Sequence, residues 1–346
     1  MIEVRVFSVG RGSSILLRLG GPGSKRYGII DCFCGRPPVH PLAEYLDTNP
    51  VDTIEFVVLT HPHDDHFLGI QRILTSHGQK IKHFYDCGVD PRHVAVKSCL
   101  ADSDDNRRAF KELEAIREFR RKRSMKGRVF SISNPDVVIF RDATLDVEIS
   151  SVAPPGDSAG RVEQALTQYY SRLIRALKKS GSNEQYELPV PASTMDLNLL
   201  SSAFLVRVGG SRMLIGGDVL RSSWNTLLGS GMRIDSEVVL LSHHGSYTGF
   251  PKKWWGNGFG ASKALALVSG EGRHQPSPSV VQHLSLHGAQ IISTSMLIDP
   301  CPGVDRIGTY VSRFHHKNQR RQLAKQDIVL SIDRDGIRWS TLPSAS

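Results

Sequence analysis

The sequence predicts an α/β protein whose two halves each bring a polar cluster to the end of a buried strand. Residues 54–59 and 237–241 are apolar, β-branched runs typical of buried strands. The first run leads directly into Thr60-His61-Pro62-His63-Asp64-Asp65-His66, and the second into Ser242-His243-His244. Because α/β folds tend to place their chemistry at the carboxyl ends of strands, these two stretches are the candidate functional site.

Length, charge and cysteine content narrow the class of protein. At 346 residues the chain is long enough for one large domain or two small ones. Its formal net charge of +9 favours a polyanionic partner, nucleic acid above all, although many proteins are basic for no specific reason. The five scattered cysteines do not form a disulfide framework. No export signal precedes the first strand and no apolar run approaches the ~18 residues of a membrane span, so we expect a cytoplasmic protein without membrane contact.

The other elements follow from periodicity and from turn residues. In the first half we predict strands at 3–9, 15–19, 27–31 and 81–86 and helices at 41–48 and 69–76. In the second half we predict strands at 203–208, 212–215, 265–270, 291–295 and 327–332 and helices at 224–228 and 280–287. Gly216-Gly217-Asp218 follows one of these strands, so a third polar group reaches a strand end.

A basic helical segment is predicted at about 100–190, inserted into a single domain that spans residues 1–346. Residues 106–128 and 162–179 both carry apolar side chains at helical spacing beside many lysines and arginines. These helices could line the phosphate backbone of a nucleic acid. The alternative is a pair of solvated helices that pack through their apolar faces.

The first polar cluster has the composition of a metal site. Its imidazoles and carboxylates cannot be buried side by side without costly desolvation unless something neutralises them. A divalent metal does this, because imidazole and carboxylate are ligands of zinc, iron and manganese. A solvated histidine-rich turn is the alternative, and the close fit of ligand types and spacing argues against it.

The motif His61-x-His63-x-Asp65-His66 after a buried strand resembles the signature of the metallo-β-lactamase fold superfamily of hydrolases. That resemblance implies an αββα sandwich with the site at the shared strand ends. Val9-Gly10-x-Gly12, Gly216-Gly217-Asp218 and His243-His244-Gly245-Ser246 further resemble motifs of the metallo-hydrolase domain of the DNA-uptake competence protein ComEC and its soluble relatives. The superfamily acts on many substrates, so the fold alone does not define the reaction.

The resemblance implies two divalent ions, zinc or manganese, as cofactors. The expected ligands are His61 and His63 for the first ion, Asp65, His66 and His243 for the second, and Asp218 as the bridge. Either residue of the 243–244 pair could be the ligand. We favour His243 and expect His244 to face the substrate as a donor or to support the ligands.

Catalytic and substrate-binding roles follow from the chemistry of the same side chains. Asp65 is expected to orient the attacking hydroxide. His244 or His274 is expected to give the leaving group its proton, since imidazole titrates near physiological pH. The candidates for substrate binding are the basic and aromatic residues Lys252, Lys253, Trp254, Arg320 and Arg321. For Trp254 and its neighbour Trp255 a buried structural role is the alternative.

The leading hypothesis is therefore a metal-dependent phosphodiesterase that acts on DNA or RNA as a nuclease. One alternative is a hydrolase of a small substrate such as a nucleotide phosphodiester, lactone or thioester. A second alternative is a non-catalytic nucleic-acid-binding module with a structural metal site, which would bind in a salt-dependent way without turnover.

Overall fold

Two β-sheets pack face to face in this computed structural model, and helices cover their outer faces. The residues that the structure describes are 1–35, 39–87, 104–124, 129–132, 134–156, 158, 160–162, 164, 196–261, 263–270, 275–294 and 326–343. The α/β class and the four-layer sandwich predicted from the sequence are confirmed.

The strands divide between an eight-stranded and a seven-stranded sheet. In chain order they are β1 Ile2–Val6, β2 Ser14–Leu19, β3 Arg26–Cys32, β4 Thr53–Val58, β5 Ile81–Asp86, β6 Val129–Ser131, β7 Val138–Asp142, β8 Val147–Ala153, β9 Ala203–Val208, β10 Ser211–Ile215, β11 Val238–Leu240, β12 Leu265–Val268, β13 Gln290–Ser293, β14 Gln326–Asp333 and β15 Gly336–Pro343. The first sheet has the order β15-β14-β1-β2-β3-β4-β5-β6 and the second the order β13-β12-β11-β10-β9-β8-β7.

The helices flank the sheets on their outer sides. They are α1 Pro41–Thr48, α2 Asp64–Phe67, α3 Ile70–His77, α4 Asp104–Ser124, α5 Arg221–Gly229 and α6 Pro278–Leu286. One apolar cluster joins α1, α3 and α4 to the first sheet, and another joins α5 and α6 to the second. Trp224 of α5 is fully buried, and its indole N–H donates to Ser242 Oγ at 2.9 Å, which fixes the helix against the end of β11.

The central core lies between the sheets. Inward-facing residues of β1, β2, β4 and β14 meet those of β8 to β12. For example, Val4 and Phe204 belong to the same hydrophobic cluster. Such side chains contribute about 1.5–3 kcal/mol each on burial, so this core holds the two halves of the chain together. Strand β4 is parallel to β3 and β5, and β11 is parallel to β10 and β12. In each sheet these three strands therefore have their carboxyl ends at the same edge.

The segment between the two halves differs in part from the sequence prediction. Helix α4 matches the predicted helix at 106–128, whereas residues 129–153 contain β6, β7 and β8, which extend both sheets. The predicted insertion at about 100–190 is thus not purely helical. Most of the predicted helix at 162–179 lies outside the described residues.

The described residues bear on the cysteines and on the absence of a membrane span. Cys32, Cys34 and Cys87 are buried, and none of these three forms a disulfide. None of the helices in the described ranges combines the length and the apolar character that crossing a membrane requires.

Candidate metal centre

The histidine motif leaves the end of β4 and turns into the short helix α2. Thr60 caps this exit, because its backbone N–H and its hydroxyl donate to the two carboxylate oxygens of Asp31 at 2.9 Å each. The turn 10–13 packs against α2, where Ser13 N–H donates to the carbonyl of Asp65 at 2.9 Å. A Cβ at Gly12 would lie 2.4 Å from that carbonyl oxygen, so only glycine fits this approach. The glycine motif at 9–12 thus serves to position Asp65.

The first group of candidate ligands consists of His61, His63 and Asp218. One ligand atom of each lies within 4.8 Å of the others. His61 Nε2 lies 3.0 Å from His63 Nδ1 and 3.9 Å from Asp218 Oδ2. His61 is buried and His63 is partly exposed, so this group lies where the site opens towards solvent.

The second group consists of Asp65, His66 and His244, again with one ligand atom of each within 4.8 Å of the others. His244 Nε2 lies 3.6 Å from Asp65 Oδ2. His66 is completely buried and His244 is 7% exposed, whereas Asp65 is partly exposed.

Asp218 lies between the two groups and turns one oxygen towards each. Its Oδ1 is 3.4 Å from His66 Nε2 and 3.7 Å from His244 Nε2, whereas its Oδ2 faces His61. The backbone of Asp218 is fixed by its N–H, which donates to Ser201 Oγ at 2.8 Å. Gly217 before it has φ 50°, and a Cβ there would lie 2.3 Å from Ser202 O. This placement is what a bridging ligand requires.

The adjacent pair His243 and His244 reaches the site from the end of β11. Both residues have left-handed backbone conformations, with φ 53° and 55°. The His244 ring enters the second group. His243 is instead on the other side of the bridge, with Nε2 3.8 Å from Asp218 Oδ2 and Nδ1 2.9 Å from Thr248 Oγ1. The geometry therefore groups His244 with Asp65 and His66, in the place for which the sequence favoured His243.

The donor set fits divalent metals. His66 Nδ1 is 2.7 Å from Asp31 Oδ2, and His244 Nδ1 is 2.9 Å from the carbonyl oxygen of Ser269. The opposite nitrogens, His66 Nε2 and His244 Nε2, are buried and make no hydrogen bond to the described part of the chain. Metal-ligating histidines have this arrangement, in which one ring nitrogen is held by an oxygen and the other is left to the metal.

Burial and mutual charge shift the titration of these groups strongly. Burial, with the charge of His66, holds the pKa of His61 well below its usual value. Burial opposes the charge of His66, but Asp31 and Asp218 outweigh it and raise the pKa of His66 well above its usual value. Burial alone would raise the pKa of Asp65 and of Asp218, yet the neighbouring histidines lower both pKa values. Both carboxylates are accordingly ionised at neutral pH, as metal ligands must be.

The remaining predicted site residues have mixed outcomes. Lys252, Lys253 and Trp254 form a 3-10 turn, in which both lysines are exposed and the Trp254 indole N–H donates to Asn225 Oδ1 at 3.1 Å. Neighbouring Trp255 is 4% exposed and packs on Phe250, so the structural alternative applies to that residue. The predicted residues His274, Arg320 and Arg321 lie outside the described residues.

Two supporting residues were not assigned from the sequence. Asp31 stands at the end of an apolar strand, as Asp218 does, and this position was a signal for it. Ser269 contributes a backbone carbonyl, which any residue could supply, so no sequence signal exists for it.

Comparison with known proteins supports the fold of the first part of the chain. Residues 8–157 match the family model described as the metallo-beta-lactamase superfamily. Those residues include β2 to β8 and the whole histidine motif. The two-sheet fold and the paired ligand groups agree with this match, which covers the first part of the chain. No curated protein matches the sequence.

Three solved structures are among those similar to this chain. Hydrolase AbOPH of the beta lactamase superfamily is 13% identical, with 60% of this chain and 56% of that chain covered and a TM-score of 0.32. CmlA, a diiron beta-hydroxylase from Streptomyces venezuelae, is 11% identical, with 69% and 34% covered and a TM-score of 0.33. Zn²⁺-bound PqqB from Methylobacterium extorquens is 12% identical, with 84% and 97% covered and a TM-score of 0.37. The chain thus spans about a third to just over half of the length of the first two of these.

Proposed function

We propose that this chain is a metal-dependent phosphodiesterase that cleaves nucleic acid. One observation carries the proposal, which is the pair of ligand groups that share Asp218, with one carboxylate oxygen directed at each group. Two-metal sites of this kind are typical of enzymes that cleave phosphodiesters. The formal net charge of +9 supports a polyanionic substrate.

His61, His63 and Asp218 would hold one divalent ion, and Asp65, His66, His244 and Asp218 the other. Bound there, such ions would polarise the scissile phosphodiester and lower the pKa of a bound water, so that hydroxide is available near neutral pH. Zinc, manganese and iron all suit this ligand set.

The chain's own residues would orient the reactants. Asp65 is ionised and is partly exposed, so it can accept a hydrogen bond from an attacking water. His244 is 7% exposed, and its Nε2 faces Asp65 and Asp218 at 3.6 and 3.7 Å. We therefore assign His244 to ligation and not to proton donation. The proposed proton donor of the leaving group remains His274.

The basic residues contribute unequally to substrate binding. On α4, Arg117, Arg121 and Lys122 pair with Glu114 and Glu118 at 3.0–3.2 Å. Since those carboxylates offset much of the positive charge, this helix supports polyanion binding less than its sequence indicates. Lys252 and Lys253 are exposed and have no carboxylate partner among the described ion pairs, so they are the stronger candidates.

The test is cleavage by the purified protein of single- and double-stranded DNA and RNA, with Mn²⁺ and Zn²⁺ supplied separately. We expect cleavage that stops with a chelator and in the variants Asp65→Ala and Asp218→Asn. Asp47→Asn is the matched control, because Asp47 pairs with His77 outside the site. Persistent cleavage by Asp218→Asn would overturn the mechanism. Cleavage of bis(p-nitrophenyl) phosphate but of no polymer would replace nucleic acid by a small phosphodiester as the substrate.

A further inference from the structure

An arginine and a tyrosine stack on each other beside the candidate metal centre. Arg221 begins α5, three residues after Asp218, and Tyr247 follows His244 by three residues. The Arg221 guanidinium carbon lies 4.3 Å from the centroid of the Tyr247 ring. A hydrogen bond from Arg221 and its charge, together with the charge of Lys252, lower the pKa of the Tyr247 phenol.

The pair is fixed to the site by three hydrogen bonds. Arg221 N–H donates to Thr248 O at 2.6 Å, and the hydroxyl of Thr248 lies 2.9 Å from His243 Nδ1. Tyr247 N–H donates to Ser277 Oγ at 2.9 Å, which ties the loop to the start of α6. The backbone around Tyr247 therefore has a defined position relative to His243.

The ring is open to solvent although it is large and aromatic. Tyr247 is 50% exposed. The other large apolar side chains with comparable exposure in the described ranges are Met1, Phe110, Phe130, Val138, Leu286, Trp339 and Leu342. None of those lies within three positions in the sequence of a candidate metal ligand. An exposed aromatic ring with adjacent cations matches the surfaces on which unpaired bases stack while the backbone phosphates are neutralised.

We propose that Tyr247 and Arg221 form a binding platform for one base of a single-stranded nucleic acid at the rim of the metal centre. The Tyr247 ring stacks on the base, and Arg221 and Lys252 contact the adjacent phosphates. Single strands are the substrate class that this platform selects, because the faces of their bases are accessible. This inference rests on the proposed function, since it specifies the substrate of the same site.

The test measures binding and not cleavage. A fluorescein-labelled single-stranded oligodeoxynucleotide and an abasic strand of equal length are titrated with protein in a chelator, and fluorescence anisotropy is recorded. We expect the wild type to prefer the base-containing strand by about tenfold, and Tyr247→Ala to lose that preference. Tyr247→Phe keeps the ring and is expected to keep the preference. Arg221→Gln is expected to weaken binding of both strands.

Trp339→Ala is the matched control, because Trp339 is a comparably exposed aromatic residue on the edge strand β15. Equal binding of both strands by the wild type, or a preference that survives in Tyr247→Ala, would overturn the platform. Base-dependent binding without cleavage of any polymer would keep the platform and remove the nuclease. Cleavage without base-dependent binding would remove the platform alone.

Discussion

Asp31 Oδ2 lies 2.7 Å from His66 Nδ1, in a contact where Asp31 is 1% exposed and His66 is completely buried. The carboxylate also accepts two hydrogen bonds from Thr60 at the exit of β4. Because the Asp31 carboxylate accepts a hydrogen bond from His66 Nδ1–H, it keeps a proton on that nitrogen. The other ring nitrogen, Nε2, faces Asp218. Asp31 thus determines how His66 is presented to a metal.

Replacing Asp31 by Asn is expected to weaken metal binding by about 10- to 100-fold, because the amide no longer attracts the His66 proton as strongly. The backbone should tolerate the change, since Asp31 has φ 58° and asparagine adopts this conformation readily. Isothermal titration with Zn²⁺ or Mn²⁺ gives the affinity. Asp47 lies outside the site, where its Oδ1 is 3.1 Å from His77 Nε2. Asp47→Asn alters that pair and is expected to leave the metal affinity unchanged. An unaltered affinity in Asp31→Asn would contradict the role.

The two adjacent histidines are expected to differ in their effects on metal binding. His244→Ala removes a buried ligand from the second group and should cost one of the two proposed ions. His243→Ala should leave that ion in place, because His243 lies on the other side of Asp218 and is 28% exposed at its side chain. Metal content after dialysis, measured by mass spectrometry, distinguishes them. A loss confined to His243→Ala would restore the assignment favoured from the sequence.

The stability of the first sheet should depend on pH through Glu55 of β4. Its carboxylate pairs with Arg26 at 2.8 Å and Lys82 at 2.9 Å. Burial would raise the pKa of Glu55, but Lys82 and Arg26 together lower it below the usual 4.5. A lowered pKa in the folded state means that the stabilisation is complete above pH 4.5 and is lost as pH falls through the folded-state value.

Glu55→Gln is therefore expected to lower the free energy of unfolding by about 1–2 kcal/mol at neutral pH, because both cations are partly exposed. The difference from the wild type should shrink as pH falls below 4.5. Urea denaturation at several pH values measures both. Glu114→Gln is the control, since its pair with Arg117 is exposed and should contribute little. A difference that stays constant with pH would show that Glu55 acts through packing alone.

Much of the site could be predicted from the sequence because its ligands follow buried strands directly. His61, His63, Asp65 and His66 leave β4 within one turn, and Asp218 leaves β10 in the same way. An apolar run fixes where a strand ends, and parallel pairing then brings neighbouring ends together. Their positions made them candidates, and the resemblance to the metallo-β-lactamase superfamily assigned them as ligands.

The orientation of His243 and His244 could not be predicted in the same way. Both have left-handed backbone angles, and the His243 ring approaches Oδ2 of Asp218 whereas the His244 ring approaches Oδ1. No sequence pattern encodes that choice for two identical neighbours. Tyr247 and Arg221 were missed for a related reason, because they are far apart in the sequence and only the tertiary fold brings the guanidinium onto the ring.

The pairing of β1 with β14 has a consequence for the order of events during synthesis. Ile2 of β1 lies opposite Ile332 of β14, so β1 is synthesised long before the strand that covers one of its edges. Until then β1 can pair only with β2, and its other row of amides and carbonyls is open to strands of other chains. Pairing over so long a separation is also slow. Recovery of native protein should therefore depend on how well nascent chains are kept apart until residues 326–343 have been made.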